Sequence, residues 1–289
     1  MADAGAYDRA TMTSTARRLR PRQYLGQYRI QRHLATGGFA TVYAATDTIA
    51  DRRVALKVLH EEDVSVQNIN AATEGPLADI KREVRMAVRL DHPNVLSIRN
   101  ATVIDGRFVI VTALGTESLD DRVGRRLGPR VALEIGEQIL EGLAHAHERK
   151  VVHCDVKPEN VLLFPEGRVR LGDFGLARLD HGKLDASGSG TIGYMAPEQA
   201  FGRPSVRSDV FSAGIVMYRM LAGATPEWPF EWPFAGAPRI RTAVHRDMIE
   251  LLQRAIQVNE RKRFASCIPM LSAFKKARRH ALRSSSRGA

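Results

Sequence analysis

One change of hydrophobic pattern divides this chain. Ahead of Gly115 its segments read mainly as strands, and beyond Gly115 mainly as helices, so it must fold as two unlike halves. YLGQYRIQRHL and TVYAATDT flank a glycine turn as a hairpin. DRRVALKVLH adds a third strand, with Val54, Leu56 and Val58 on one face and Ala55, Lys57 and Leu59 on the other. A polar linker, EEDVSVQNINAATEGP, leads into LADIKREVRMAVRL. That stretch reads as a helix with Ile80, Val84, Ala87 or Val88, and Leu90 on one face, closed at His92-Pro93. Two further strands meet at Asp105-Gly106, a strong hairpin signal. The second half opens on a long amphipathic helix from Pro129, with proline in its first turn. Helical patterns follow at Ser208 to Leu221, Val244 to Gln257 and Pro269 to His280.

These elements predict an α+β chain of two lobes. A small lobe over about 23–114 holds a five-stranded antiparallel sheet and one helix. A hinge spans about 112–118, and a mainly helical lobe covers about 119–281. Residues 1–22 and 282–289 are small, polar and basic, and are expected to be disordered. No apolar run reaches the ~18 residues of a membrane helix, and the first residues lack the apolar centre of a signal peptide. Two cysteines, Cys154 and Cys267, exclude a disulfide framework and fit a reducing, cytoplasmic setting. The net charge of +11 is concentrated at the ends. Residues 275–289 carry six Lys/Arg and no acid, which permits contact with nucleic acid or an anionic surface, or a merely solvated tail.

The segment LATGGFATVY, Leu34 to Tyr43, has a phosphate loop's composition without its pattern. Of the three positions that G-x-G-x-x-G requires, only Gly37 is glycine, Ala35 and Ala40 taking the others. Alone it reads equally as an ordinary hairpin turn. HCDVKPEN, residues 153–160, is more specific, placing Asp155 and Asn160 five apart with Lys157 between. Asp173-Phe174-Gly175 follows after a hairpin turning at Pro165-Glu166-Gly167. With Lys57 in VALK, Glu83 in the next helix and Ala196-Pro197-Glu198 downstream, the ordered set resembles a eukaryotic-type (Hanks-type) serine/threonine protein kinase of compact, bacterial-like form, from about Tyr24 to Ala281.

That resemblance implies the bilobal kinase fold and transfer of the ATP γ-phosphate to protein Ser/Thr hydroxyls, including its own, with Mg²⁺ or Mn²⁺. It implies that Lys57, held by Glu83, takes the α/β-phosphates and that Asn160 and Asp173 ligate the metal. Asp155 would accept the hydroxyl proton and Lys157 would steady the transferred group. Thr191 would contact both beneath the incoming peptide. Leu34, Gly37 and Gly38 would cover the phosphates. Val42, Ala55 and Leu162 would pack on adenine, Thr112 and Leu114 would bond it through backbone, and Val111 would guard the back of the pocket. Asp209 would brace the catalytic loop, Arg263 would pair with Glu198, and His153 would serve packing rather than base catalysis. Glu159 leans slightly toward basic substrate peptides.

Three departures stand out. Alanines at Ala35 and Ala40 predict weaker ATP binding, because alanine resists φ > 0. Cys154 replaces the arginine that usually anchors a phosphate on the activation loop, which predicts less dependence on phosphorylation of Ser187, Ser189 or Thr191. The tandem repeat EWPFEWPF, 227–234, holds both tryptophans and serves either as a partner-docking surface or as loop packing. The first two departures also admit an alternative, a non-catalytic pseudokinase scaffold.

Overall fold

The computed structural model describes residues 18–38, 40–60, 81, 84–85, 87–125, 127–174 and 192–285. Glu83, Thr191, Ser187 and Ser189 fall outside the described residues.

The first half builds one antiparallel sheet from β1 (Tyr24–Leu25), β2 (Tyr28–Thr36), β3 (Ala40–Asp47), β4 (Arg52–Leu59), β5 (Ile98–Ile104) and β6 (Arg107–Ala113), in the order β1-β2-β3-β4-β6-β5. Six strands replace the expected five. Gly26, at φ +54°, lets the chain double back so that Tyr24–Leu25 pairs with the start of β2. The fold also takes in residues ahead of the expected domain start at 23. Leu19 is buried with Leu25, Tyr28 and Tyr43, and its N–H donates to the Tyr43 hydroxyl at 3.2 Å. The β5–β6 turn has Asp105 and Gly106 both at positive φ, 49° and 77°, as a two-residue hairpin requires.

Strand alternation gives the sheet two apolar faces. Tyr43, Val54, Leu56, Val58, Val109 and Val111 fill one. Ala40, Leu59, Phe108 and Ile110 line the other, packed by Val84 from the helical residues 84–85. On that helix Ala87 is buried and Val88 is 58% exposed, which settles which of the two belongs to the inner face.

The second half packs helices around α2 (Pro129–Glu148) and α4 (Val206–Ala222), which share one core with Leu171, Met248 and Phe274. A three-stranded sheet of β7 (Glu117–Ser118), β8 (Val161–Leu163) and β9 (Val169–Leu171) lies against α2. Gly142 of α2 permits this approach, because a Cβ there would meet Leu171 Cδ1 of β9 at 3.1 Å and the adjoining Asn94 carbonyl at 2.7 Å. Between them come α1 (Leu119–Val123) and the short α3 (Pro197–Ala200), then α5 (Ala237–Ala243), α6 (Arg246–Ala255) and α7 (Cys267–Ser285).

Helix α7 runs four residues past the expected domain end, to Ser285. Its basic run is partly spent inside the molecule. Lys275 donates to Glu141 at 2.7 Å and Arg278 pairs with Glu137, both on α2. Among the described residues no helix is long and apolar enough to cross a membrane.

The tandem repeat divides its labour. In the second copy Phe234 is buried and stands edge-on to Tyr218 at 5.3 Å, with Trp232 edge-on at 6.0 Å. In the first copy Trp228 is 69% exposed, while Phe230 anchors the loop edge-on against Phe211 at 5.1 Å. The packing reading of EWPFEWPF therefore holds for the second copy and for Phe230, while Trp228 stays exposed.

Candidate active site

The cleft between the large sheet and the helical half holds a cavity of about 490 Å³. Leu34, Val42, Ala55, Lys57, Thr112, Leu114, Asn160, Leu162 and Asp173 all line it, which gathers most of the residues predicted to touch nucleotide. Val111 does not. Period-2 alternation turns its side chain onto the opposite face, where it is 2% exposed, and presents Ile110 and Thr112 to the cavity instead. Thr112 lies within β6 between Ala55 of β4 and Ile98 of β5, so its side chain rather than a spare backbone group faces inward. Leu114 lies just beyond the strand end.

The glycine turn is closed by the Gly37 N–H on the Ala40 carbonyl at 2.9 Å. His60, unremarked in the sequence, spans it: Nδ1 lies 3.1 Å from the Gly38 carbonyl and Nε2 3.1 Å from the Thr41 hydroxyl. A neutral imidazole with its proton on Nδ1 satisfies both contacts. A Cβ at Gly37 would meet only the Ala40 carbonyl, at 3.8 Å, so the chain's own packing leaves room there.

Neither alanine of the altered loop is strained. Ala35 pairs with Val42, Ala40 pairs with Leu59, and neither takes a positive φ. The expected backbone cost is therefore absent, and so is the reason for weakened ATP binding. Replacing both by glycine should bring no gain in ATP affinity and should lower thermal stability by about 0.5–1 kcal/mol per strand position. A several-fold fall in the KM for ATP in that double variant would contradict this.

Across the cleft, the Lys57 ammonium donates to Asp173 Oδ1 at 2.8 Å, joining residues 116 apart in sequence. Asp173 holds φ +57°. Desolvation pushes its carboxyl up, but Lys57, with His153 and Lys157 nearby, outweighs that and holds it below the usual carboxylate range. It is a charged acceptor at neutral pH.

Asp155, Lys157 and Asn160 form a compact triangle. Asp155 Oδ2 accepts from Lys157 Nζ at 2.9 Å and from Asn160 Nδ2 at 2.8 Å, and the Asp155 carbonyl accepts from the same Nδ2 at 2.8 Å. Desolvation lowers the Lys157 pKa, but Asp155, Glu159 and Asp173 outweigh it and raise the value above that of a free lysine. Asn160 spends its amide protons on Asp155, which leaves its carbonyl oxygen as the atom fitted to a hard cation. The Gly172 N–H on the Asn160 backbone carbonyl, 2.8 Å, fixes Asn160 beside Asp173.

A buried layer holds this loop. Asp209, 1% exposed at the start of α4, accepts from the backbone N–H of His153 at 2.8 Å and of Cys154 at 2.9 Å. His147 Nε2 lies 2.9 Å from the same carboxylate. Because His147 Nδ1 accepts the Cys267 N–H at 3.0 Å, the proton belongs on Nε2, which donates. The Cys154 carbonyl accepts from Gln199 at 2.8 Å. Tied at both backbone groups, Cys154 is held at φ +65°, a conformation that costs a non-glycine residue ~1–2 kcal/mol.

His153 is fully buried, stacks beside Phe174 at 4.4 Å, and bridges the Asp155 N–H and the Gly172 carbonyl. Its ring is committed to structure. Arg263, whose side chain is 0% exposed, binds Glu198 through two nitrogens at 2.6 and 2.9 Å and gives its remaining protons to the carbonyls of Gln257, Arg207 and Val258. Glu198 is desolvated, but Arg263 and Ser208 outweigh this and keep its carboxyl below the usual range.

The protein kinase domain family matches residues 28–275, most of the chain. The chain belongs to the protein kinase family. This kinase is 35% identical over 208 residues to the serine/threonine-protein kinase PrkC of Bacillus subtilis, covering 70% of this chain and 31% of that one. It is 36% identical over 213 residues to the serine/threonine-protein kinase PknA of Mycobacterium tuberculosis, covering 70% of this chain and 48% of the relative. The kinase thus spans a third to a half of the length of these curated relatives. Its fold matches the crystal structure of a cysteine-to-alanine mutant of the Mycobacterium tuberculosis PknI kinase domain with a TM-score of 0.68 at 23% identity, over 90% of this chain and 99% of that one.

Proposed function

We propose that this kinase transfers the γ-phosphoryl group of ATP to serine or threonine hydroxyls of proteins, its own chain included. The observation that carries the reading is the Asp155–Lys157–Asn160 triangle, whose Asn160 lines the same cavity as the Lys57–Asp173 pair. Phosphoryl transfer needs little covalent help from a protein and depends on positioning and charge neutralisation. Lys57 is placed to neutralise phosphate oxygens. The Asp173 carboxylate and the Asn160 carbonyl form a hard-oxygen pair suited to Mg²⁺ or Mn²⁺, whose charge would offset that of the phosphates.

Asp155 orients the attacking hydroxyl and takes its proton as the oxygen bonds to phosphorus and ADP departs. Lys157, held charged at 2.9 Å from Asp155, stabilises the negative charge on the transferred group. Gly37 leaves space above the phosphates. Leu34, Gly38, Val42, Ala55, Thr112, Leu114 and Leu162 form the remaining contacts. Glu83 and Thr191, outside the described residues, keep their proposed roles of pairing with Lys57 and of meeting the substrate beside Asp155. We assign the reaction to the cytoplasm because it would consume ATP. Spare cations near the chain end, such as Arg279, could meet an anionic surface only after the pairs of Lys275 and Arg278 are discounted.

The test is incubation with labelled ATP and Mg²⁺ or Mn²⁺, followed by mass spectrometry of phosphosites. Label on Ser/Thr is expected with the wild type and not with Lys57→Met. Equal labelling by both, or none by the wild type with either metal, refutes the reading.

A further inference from the structure

Helices α6 and α7 meet at a cluster that phosphoryl transfer does not use. His245 caps the N-terminus of α6, Asp247 follows in its first turn, and His280 meets them from the last turns of α7. One donor atom from each side chain lies within 4.8 Å of the others. Among the described residues no other three His, Cys, Asp or Glu side chains are grouped in this way. All three side chains are between 40% and 42% exposed, so small ions can reach them.

The protons at this cluster do not match its acceptors. As the helix cap, His245 accepts the Asp247 N–H at Nδ1, 3.3 Å away, so that nitrogen presents a lone pair and carries no proton. The same Nδ1 lies 3.3 Å from Asp247 Oδ1. Two acceptors therefore face each other, and only a cation between them, a proton or a metal ion, removes the repulsion.

The spacing suits a metal better than a proton. A charged N–H···O bond runs to about 2.7–2.9 Å, and this pair is longer. Two ligands on a tetrahedral Zn²⁺, each bonded at about 2.0–2.1 Å, stand about 3.3 Å apart. Asp247 Oδ2 and His280 Nδ1, at 2.6 Å, share a proton and would open by about 0.7 Å as the ion displaces it. The two imidazoles stand edge to face, centroids 5.9 Å apart and planes at 80°, which lets both aim a nitrogen at one centre.

Ligand type decides the metal. Two imidazoles and one carboxylate favour Zn²⁺ and its late first-row neighbours over Mg²⁺ or Ca²⁺, which take oxygen. Lys276, one turn before His280 on α7, acts on the Asp247 charge. Attraction by charge alone is therefore weak, and the nitrogen lone pairs must carry the binding.

We propose that His245, Asp247 and His280 bind Zn²⁺ or a similar late first-row divalent metal, with water completing the shell, and that the ion ties α7 to α6. The site shares no residue with the Asn160–Asp173 pair and does not depend on the phosphoryl-transfer reading. Its effect is on the fold. Lys275 and Arg278 already tie α7 to α2. The metal would fasten the same helix to a second neighbour.

The test titrates Zn²⁺ into the full chain by calorimetry, with excess Mg²⁺ present to occupy the catalytic oxygen ligands. Thermal unfolding is followed with and without Zn²⁺. One saturable site is expected. His280→Ala and His245→Gln should each weaken it by about tenfold or more, since even an outer partner of a metal ligand is worth about 10–100-fold in affinity. Asp173→Asn should leave it unchanged. With Zn²⁺ about a hundredfold above Kd, the melting temperature should rise by about 5–10 °C in the wild type and not in His280→Ala. Should His280→Ala lower the metal-free melting temperature, Asp247→Asn carries the test, because it keeps the side chain's shape and removes its charge. The proposal is overturned by the absence of a saturable Zn²⁺ site, by equal binding in all the cluster variants, or by loss of binding in Asp173→Asn.

Discussion

Asp155→Asn is expected to lower the rate of phosphoryl transfer by about 10²–10⁴-fold while leaving ATP affinity within about twofold. The amide keeps the size of the carboxylate and can still accept from Lys157 and Asn160, so the triangle that now holds Oδ2 at 2.9 and 2.8 Å survives. What is lost is the acceptor for the hydroxyl proton and the negative charge that orients it. Lys57, Asp173 and the cavity walls are untouched, so nucleotide binding should persist. Labelled-ATP turnover beside a direct nucleotide-binding titration makes the check. A variant with near wild-type kcat would show that Asp155 is not the proton acceptor, and the non-catalytic scaffold would gain ground if the wild type were equally slow.

Asp209→Ala is expected to destabilise the protein by about 3 kcal/mol or more, and to reduce turnover beyond what unfolding explains. Three buried donors lose their acceptor: the N–H groups of His153 and Cys154, and His147 Nε2. Each orphaned buried group costs ~1–3 kcal/mol. Two of them lie in the loop that carries Asp155, and Cys154 stays at φ +65° only because its neighbours hold it there. At roughly 2–4 °C per kcal/mol for a chain of this size, the melting temperature should fall by about 6–12 °C. Thermal unfolding measures the first effect, and kcat measured well below the lowered transition measures the second. A shift under about 1 °C would mean that water or backbone rearrangement replaces the carboxylate.

Much of the site was legible because its chemistry is local. Asp155, Lys157 and Asn160 lie within six residues, and a tight loop places them together wherever it goes. The Asp105-Gly106 turn and the faces of β4 were equally readable from turn chemistry and period 2. Where the reading failed, a tertiary choice had been left open. Val111 and Thr112 are adjacent, and only the pairing of β6 between β4 and β5 decides which of them faces the cavity. Ala35 and Ala40 looked strained by comparison with a pattern, yet in this hairpin both are ordinary strand residues. His60 carried no signal, because its partners, a carbonyl and a hydroxyl on another strand, exist only once β3 and β4 are paired.

The two copies of EWPF make the same division plain. They are identical in sequence, so no local rule could assign them different fates. The sequence by itself determined the two-lobed arrangement, the catalytic loop and the kinase family, since these rest on hydrophobic period and on short-range spacing. The tertiary structure alone decided that Lys57 meets Asp173, and that Phe234 is buried while Trp228 stands exposed. Those outcomes depend on which surfaces come together across many tens of residues. Burial and hydrogen-bond satisfaction are properties of that assembled environment, not of any segment within it.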